Sequence, residues 1–252
     1  MTQPTERFSG RAADYVAARP GYPPAVLDTL RAAGALRRGA RVADIGAGTG
    51  ISSALFLDAG CEVVAVEPNA AMREAARQCL GGRDGFQIIS GTAEATGLAN
   101  ASVDLVAAAQ AFHWFDAAAT AKEFARILRP GGWITLFWNT RNASATPFMA
   151  ELEALIARFG TDYAAVHHQN VPEASLRALM PRRFSRAVHA NRQHLDRAGL
   201  HARLMSASYL PPRATPAGEA LLLAADDLFD RHARRGQQVT LHYQVEQYLG
   251  QP

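Results

Sequence analysis

From Arg41 to Asn139, short apolar runs alternate with stretches in which apolar residues return every three or four positions. Short uninterrupted runs suit strands covered on both faces, and the longer recurrence suits helices with one buried face. This pattern predicts strands at Arg41–Ile45, Glu62–Val66, Phe86–Ile89, Val103–Ala109 and Trp133–Trp138. It predicts helices at Ile51–Ala59, at Ala70–Leu80, and after Asp116, where Ala121, Phe124, Ile127 and Leu128 share a face. Strand and helix in strict alternation argue for a parallel sheet with crossover helices.

The punctuation agrees. Asn69 and Asp116 stand where a side-chain oxygen caps a helix, and Gly60, Gly81 and Gly82 fall where helices end. Arg129-Pro130-Gly131-Gly132 predicts a turn that halts the helix before the fifth strand. Beyond Thr140 the rhythm loosens. Helical patterns occur at Phe148–Phe159, His194–Ser206 and Pro216–Arg234, with a sixth strand at Arg186–Asn191 and a last one at Gln238–Tyr248.

Composition narrows the class. The chain has 252 residues, 48% of them hydrophobic and 19% charged, the balance of a globular protein. No apolar run has the ~20 residues of a membrane helix, and MTQPTERFSG lacks the apolar stretch of a signal peptide. A cytoplasmic protein without membrane partners is expected. Cys61 and Cys79 read as small core residues, and the eight histidines have no metal-binding spacing, so no metal is expected.

Net charge of +3 changes little. Lys122 is the single lysine, and arginines cluster at Arg182-Arg183-Arg186 and Arg234-Arg235. A solvated arginine-rich face accounts for them, and no nucleic-acid partner is expected.

Candidate chemistry begins at Asp44-Ile45-Gly46-Ala47-Gly48-Thr49-Gly50. A buried strand there runs into three alternate glycines and then a helix. Glycine permits the sharp turn and clears side chains from a ligand's path, and the helix start offers free N–H groups. Glu67 stands at the end of the second strand, where doubly wound folds place the acid that binds ribose hydroxyls. A dinucleotide loop of the Gly-x-Gly-x-x-Gly type would have its third glycine one residue later, where Ile51 sits.

Taken together, these segments resemble class I S-adenosylmethionine-dependent methyltransferases. Val66-Glu67-Pro68-Asn69 with Met72 is similar to the acidic second-strand motif, and Gly91-Thr92-Ala93-Glu94 to the segment that meets the adenine amino group. Gln110-Ala111-Phe112-His113-Trp114-Phe115 resembles the segment beside the methionine part of the cofactor. Tyr15-Val16-Ala17-Ala18-Arg19-Pro20-Gly21-Tyr22-Pro23 resembles the leading segment of the type 11 small-molecule group, including enzymes of trans-aconitate-like acids.

The resemblance implies a Rossmann-like doubly wound α/β sheet of seven strands, the last antiparallel. It implies one domain, with an N-terminal helical cap segment (1–38), a cofactor-binding core (39–139), a helical cap over 140–235 and a C-terminal strand (236–252). It implies S-adenosylmethionine contacts from Asp44, Gly46, Ala47, Gly48, Thr49, Gly50, Glu67, Pro68, Met72, Ala93, Glu94, Gln110 and Ala111. Tyr15 and Arg19 would fold over the cofactor, with Arg19 near its carboxylate.

The acceptor is harder to read. A small molecule methylated on oxygen, perhaps a carboxylate, is the expectation. An ionised acid needs little help from a base, whereas a phenol or amine would use one. His113 is the candidate base, and its other reading is a ring that packs against Trp114 to shape the pocket. Trp114, Trp138, Tyr209 and Tyr243 read either as acceptor-pocket aromatics or as core. Asn139 and Arg141 follow the fifth strand, where ligand-facing loops emerge, and Arg141 suits an acidic acceptor. Two other functions stay open: a nucleic-acid or protein methyltransferase, and a protein that binds the cofactor without methyl transfer.

Overall fold

The computed structural model describes residues 18–161, 171–233 and 238–252. Helix α1 (Ala25–Ala32) precedes β1 (Arg41–Ile45), α2 (Ile51–Asp58), β2 (Glu62–Val66), α3 (Ala70–Leu80), β3 (Phe86–Ile89) and β4 (Val103–Ala109). A short 3-10 turn (Phe112–Trp114) leads into α4 (Ala117–Ile127) and β5 (Leu128–Arg141). Then come α5 (Pro147–Phe159), α6 (Glu173–Leu179), β6 (Arg182–Leu195), α7 (Arg197–Met205), α8 (Pro216–His232) and β7 (Val239–Gln251).

The strands form one seven-stranded sheet in the order β3-β2-β1-β4-β5-β7-β6. Strands β1 to β5 are parallel, and β7 lies antiparallel between β5 and β6. The predicted α/β class and antiparallel last strand are therefore observed. Chain order reverses between β1 and β4, which opens a crevice at the carboxyl ends of these two strands.

Period-two alternation divides the core. Val42, Leu105, Ala107, Trp133 and Phe137 point to the face covered by α1, α2 and Leu80 of α3. Ala43, Ile45, Val106, Ala108, Ile134 and Trp138 point to the other face, against Phe124 and Ile127 of α4 and Leu176 and Leu179 of α6. A third cluster joins α5, α7 and α8 to the outer ends of β6 and β7, through Leu152, Leu204, Leu228 and Leu241.

Capping follows the sequence closely. Asn69 Oδ1 accepts the Met72 N–H at 3.0 Å, and Asp116 Oδ1 accepts the Ala119 N–H at 2.9 Å.

Three expectations are corrected. Region 140–235 is not wholly helical, because it contains β6, fourteen residues long rather than Arg186–Asn191 alone. Its polar sequence pairs with β7 along almost its whole length, and that pairing overrides weak strand propensity. The Arg129–Gly132 segment is no separate turn but lies inside β5, looping out between the pairs Val103–Leu128 and Leu105–Trp133. Finally, α6 forms within a stretch read as irregular, where Leu176 and Leu179 find a buried surface on the sheet.

Candidate functional site

A cavity of about 280 Å³ opens at the crevice between β1 and β4. The loop after β1 forms its floor. Gly46, Gly48 and Gly50 have φ of +67°, +57° and +87°, values that residues with a Cβ rarely adopt. A Cβ on Gly46 would lie 2.7 Å from Ala111 Cβ, so glycine there lets the loop approach the end of β4. At Gly48 a Cβ would meet nothing within 4 Å, and this residue lines the cavity.

Beneath the loop, Asp44 is fully buried. Its Oδ2 accepts from Ser52 Oγ at 2.7 Å and Ser53 Oγ at 2.6 Å, and its Oδ1 has no hydrogen-bond partner. Burial pushes its carboxyl up to about 6, against the two serine hydrogen bonds and with a further push from Glu67. Thr49 Oγ1 is also buried without a partner. Orphaned buried polar atoms are costly, and they cluster where a polar ligand is received.

Glu67, at the end of β2, is buried and lines the opposite wall. Its Oε2 accepts the Gly48 N–H at 2.9 Å and its Oε1 the Asn69 N–H at 2.8 Å. Burial raises its carboxyl above the usual range, while these backbone donors and Arg73 work to lower it. A carboxylate has about four acceptor positions, so each oxygen keeps capacity for a ligand hydroxyl.

The remaining wall comes from the ends of β3 and β4. Thr92, Ala93 and Glu94 line it, with Glu94 Oε1 anchored by the Asp116 N–H at 2.9 Å. Gln110 has φ of +56°, a left-handed conformation that a non-glycine residue adopts at a cost of about 1–2 kcal/mol. It is held there by its N–H on the Phe137 carbonyl at 3.0 Å and its Nε2 on the Asn139 carbonyl at 3.1 Å.

Most of the residues singled out from the sequence thus meet in one place. Gly46, Ala47, Gly48, Thr49, Glu67, Pro68, Met72, Ala93, Glu94, Gln110 and Ala111 line the cavity, as does Trp114. Asp44 and Gly50 support the loop from behind, Gly50 by lying against Leu80. Tyr15 lies outside the described residues. Arg19 is not among the lining residues; its Nη2 donates to the Ser206 carbonyl at 2.9 Å. From the same segment it is Tyr22 that reaches the cavity, edge-on to Phe137 at 4.7 Å.

Tyr22, Asn69, Thr92 and Phe115 also line the cavity and were not expected as ligand contacts. Asn69 and Thr92 fell within quoted motifs, so proximity to Glu67 and Ala93 was the available signal. His113 sits outside the lining, its ring 4.7 Å from Trp114. Trp138 Nε1 approaches His113 Nδ1 at 3.4 Å.

The same segments carry similarity to known proteins. Residues 43–136 match the family model described as a methyltransferase domain. Over this segment the chain is similar to the methyltransferase-domain family. An uncharacterized methyltransferase of Mycobacterium bovis is 40% identical over 153 residues, 61% of this chain and 60% of that protein. The matched stretch thus spans about 60% of that relative's length. A malonyl-[acyl-carrier protein] O-methyltransferase of Methylococcus capsulatus is 41% identical over 96 residues, 37% of this chain and 35% of its own. A protein of Anaeromyxobacter dehalogenans, solved as a candidate type II methyltransferase, shares the fold with a TM-score of 0.70 at 21% identity. That alignment covers 92% of this chain and 97% of the other.

The donor set suits a nucleoside ligand such as S-adenosylmethionine. Glu67 is an acid for the ribose hydroxyls, and the partnerless Oδ1 of Asp44 is an acceptor near the loop. The cavity combines polar groups with apolar wall residues such as Met72 and Phe115.

Proposed function

We propose that this chain transfers the methyl group of S-adenosylmethionine to an oxygen of a small-molecule acceptor. The observation that carries the reading is the convergence of the glycine loop, Glu67 and the strained Gln110 on one cavity. The malonyl-[acyl-carrier protein] O-methyltransferase similarity supports oxygen as the target, within the 96 residues it covers.

When bound, the cofactor supplies a methyl group already activated on a positively charged sulfur. The protein's work is then alignment and exclusion of water. Glu67 fixes the ribose end, the loop Gly46–Thr49 passes beneath, and Gln110 shapes the wall toward which the acceptor approaches. Tyr22 and Trp114 add aromatic surface to the lining.

This reading asks for no strong base. Trp138 Nε1 donates to His113 Nδ1 at 3.4 Å, and the His113 ring lies 4.7 Å from Trp114, which supports a packing role for this residue. His113 therefore positions Trp114 and Trp138. A carboxylate acceptor is ionised near neutral pH and meets this limitation.

Labelled-methyl transfer to a panel of carboxylic acids and phenols tests the reading. A base-labile methyl ester is the expected product. Absence of S-adenosylhomocysteine binding would remove the cofactor assignment, and a base-stable N- or C-methyl product would remove the oxygen assignment.

A further inference from the structure

The turn after β3 reaches the cavity, and α4 holds it in place. Thr92, Ala93 and Glu94 line the cavity there. Residues 92–95 close tightly: the Thr92 N–H donates to the Ala95 carbonyl at 3.1 Å, and the Ala95 N–H to Thr92 Oγ1 at 3.2 Å. A Cβ on Gly91 would lie 2.7 Å from the Thr96 carbonyl oxygen and 2.9 Å from Val66 Cγ1, so the segment packs closely against β2.

These short-range bonds fix the turn's curvature, and two bonds from α4 fix its place. Glu123 of α4 is buried, and its Oε1 accepts from the Thr96 N–H at 2.8 Å and from Thr96 Oγ1 at 2.6 Å. Thr96 is fully buried, and its Oγ1 in turn accepts the Leu98 N–H at 3.2 Å. At the start of the helix, the Asp116 N–H donates to Glu94 Oε1 at 2.9 Å. Asp116 and Glu123 stand about two turns apart on one side of the helix, so a single rigid element grips the segment at both points.

A buried carboxylate is costly unless it is paired. Arg126 pairs with Glu123, through Nε to Oε2 at 2.8 Å and Nη2 to Oε1 at 2.7 Å. Hydrogen bonding to Arg126, helped by Thr96 and opposed by burial, lowers the Glu123 carboxyl to about 2. The anchor therefore keeps its charge well below neutral pH. An ion pair alone would need only the arginine. The two bonds to Thr96 direct the carboxylate at the turn.

Two acids thus line the cavity at neighbouring strands, Glu67 after β2 and Glu94 after β3. A carboxylate only accepts hydrogen bonds. Glu94 uses one acceptor position on Asp116 and keeps others, so it favours a ligand edge that carries N–H and opposes one that carries a carbonyl.

We propose that Glu123 is a positioning residue for base recognition: by holding Thr96 it sets the turn on which Glu94 tells an amino-bearing base from a carbonyl-bearing one. Glu123 does not line the cavity and acts only through Thr96. This inference rests on the methyl-transfer reading above, in which the ligand is a nucleoside.

The test titrates the full chain calorimetrically with S-adenosylhomocysteine and with S-inosylhomocysteine, in which a carbonyl replaces the amino group of the base. The wild-type protein is expected to prefer the first by at least about 10-fold, as a charge-assisted hydrogen bond implies. Glu123→Gln keeps the shape and removes the charge, and should cut the preference to about 3-fold or less. Thr96→Val removes the hydroxyl on the other side of the contact and should do the same, which covers the case that Glu123→Gln does not fold. Thr96→Ser keeps the hydroxyl and should keep the preference. A Glu123 that only stabilised the fold would lower the melting temperature or weaken both ligands alike, and leave their ratio at the wild-type value. That result in the folded variants, or no preference in the wild-type protein, overturns the proposal. Failure to bind S-adenosylhomocysteine at all overturns the methyl-transfer reading instead, and the first titration separates the two.

Discussion

The Gly48 N–H donates to Glu67 Oε2 at 2.9 Å, so the acid at the end of β2 ties down the glycine loop after β1. One carboxylate therefore shapes the cavity and faces its contents. β1 and β2 pair along their whole length, from Arg41–Glu62 to Ile45–Val66, and this bond carries the link past their carboxyl ends, where the ligand would lie.

Glu67→Gln removes the charge and places an amide N–H₂ against a backbone donor, Gly48 or Asn69. Affinity for S-adenosylhomocysteine is expected to fall by about 2 kcal/mol, from weakened ribose contacts and a loosened loop. Calorimetric titration checks it. Unchanged affinity in the folded variant would mean that the ribose lies elsewhere.

Asp44 links stability to pH. Its carboxyl is raised to about 6 in the folded protein, from 3.8. A raised carboxyl favours the folded state while protonated, so its contribution is present below pH 3.8 and lost as pH rises through about 6. The loss is on the order of 3 kcal/mol by pH 7. Asp44→Asn is expected to raise the melting temperature of the ligand-free protein at pH 7 and to flatten its dependence between pH 5 and 7. The same substitution should weaken S-adenosylhomocysteine binding. Thermal melts across that range decide it, and equal slopes in the two proteins would refute the assignment.

Gly46→Ala and Gly48→Ala should separate fold from binding. The first adds a Cβ 2.7 Å from Ala111 Cβ as well as left-handed strain, and should destabilise the fold by about 2–4 kcal/mol. The second meets no neighbour within 4 Å, so its stability cost is about 1–2 kcal/mol. Its methyl lies beside the cavity, and affinity for S-adenosylhomocysteine should suffer more than the melting temperature does.

His113→Asn keeps an acceptor near Trp138 Nε1 and removes the imidazole. Turnover is expected to stay within about 10-fold of wild type, with the pH profile unshifted, since a true general base contributes 10²–10⁴-fold. A larger loss, accompanied by disappearance of the acid limb of the pH profile, would restore His113 as the base.

Much of the cofactor region was legible before any coordinates. Every strand of the parallel half has its predicted bounds apart from β5, because strands buried on both faces write their limits as apolar runs. The glycine loop and Glu67 were readable for a related reason. Their roles depend on backbone conformation and on a fixed distance along one β-α-β unit.

The C-terminal half was not legible in the same way. Edge strand β6 alternates polar and half-buried residues such as His189 and Asn191, which differ little from a loop until β7 pairs with them. Arg19 and Ser206, like Arg141 and Tyr209, are far apart in the chain, and no spacing relates them. By itself the sequence determined the parallel core, its caps and the cofactor loop, because local periodicity and backbone demands act over a few residues. Only the tertiary structure decided that β6 is a full strand, that Tyr22 lines the cavity while Arg19 donates to the Ser206 carbonyl, and that Arg141 meets Tyr209. Those outcomes depend on pairing and packing between segments far apart in the chain, which no local pattern encodes.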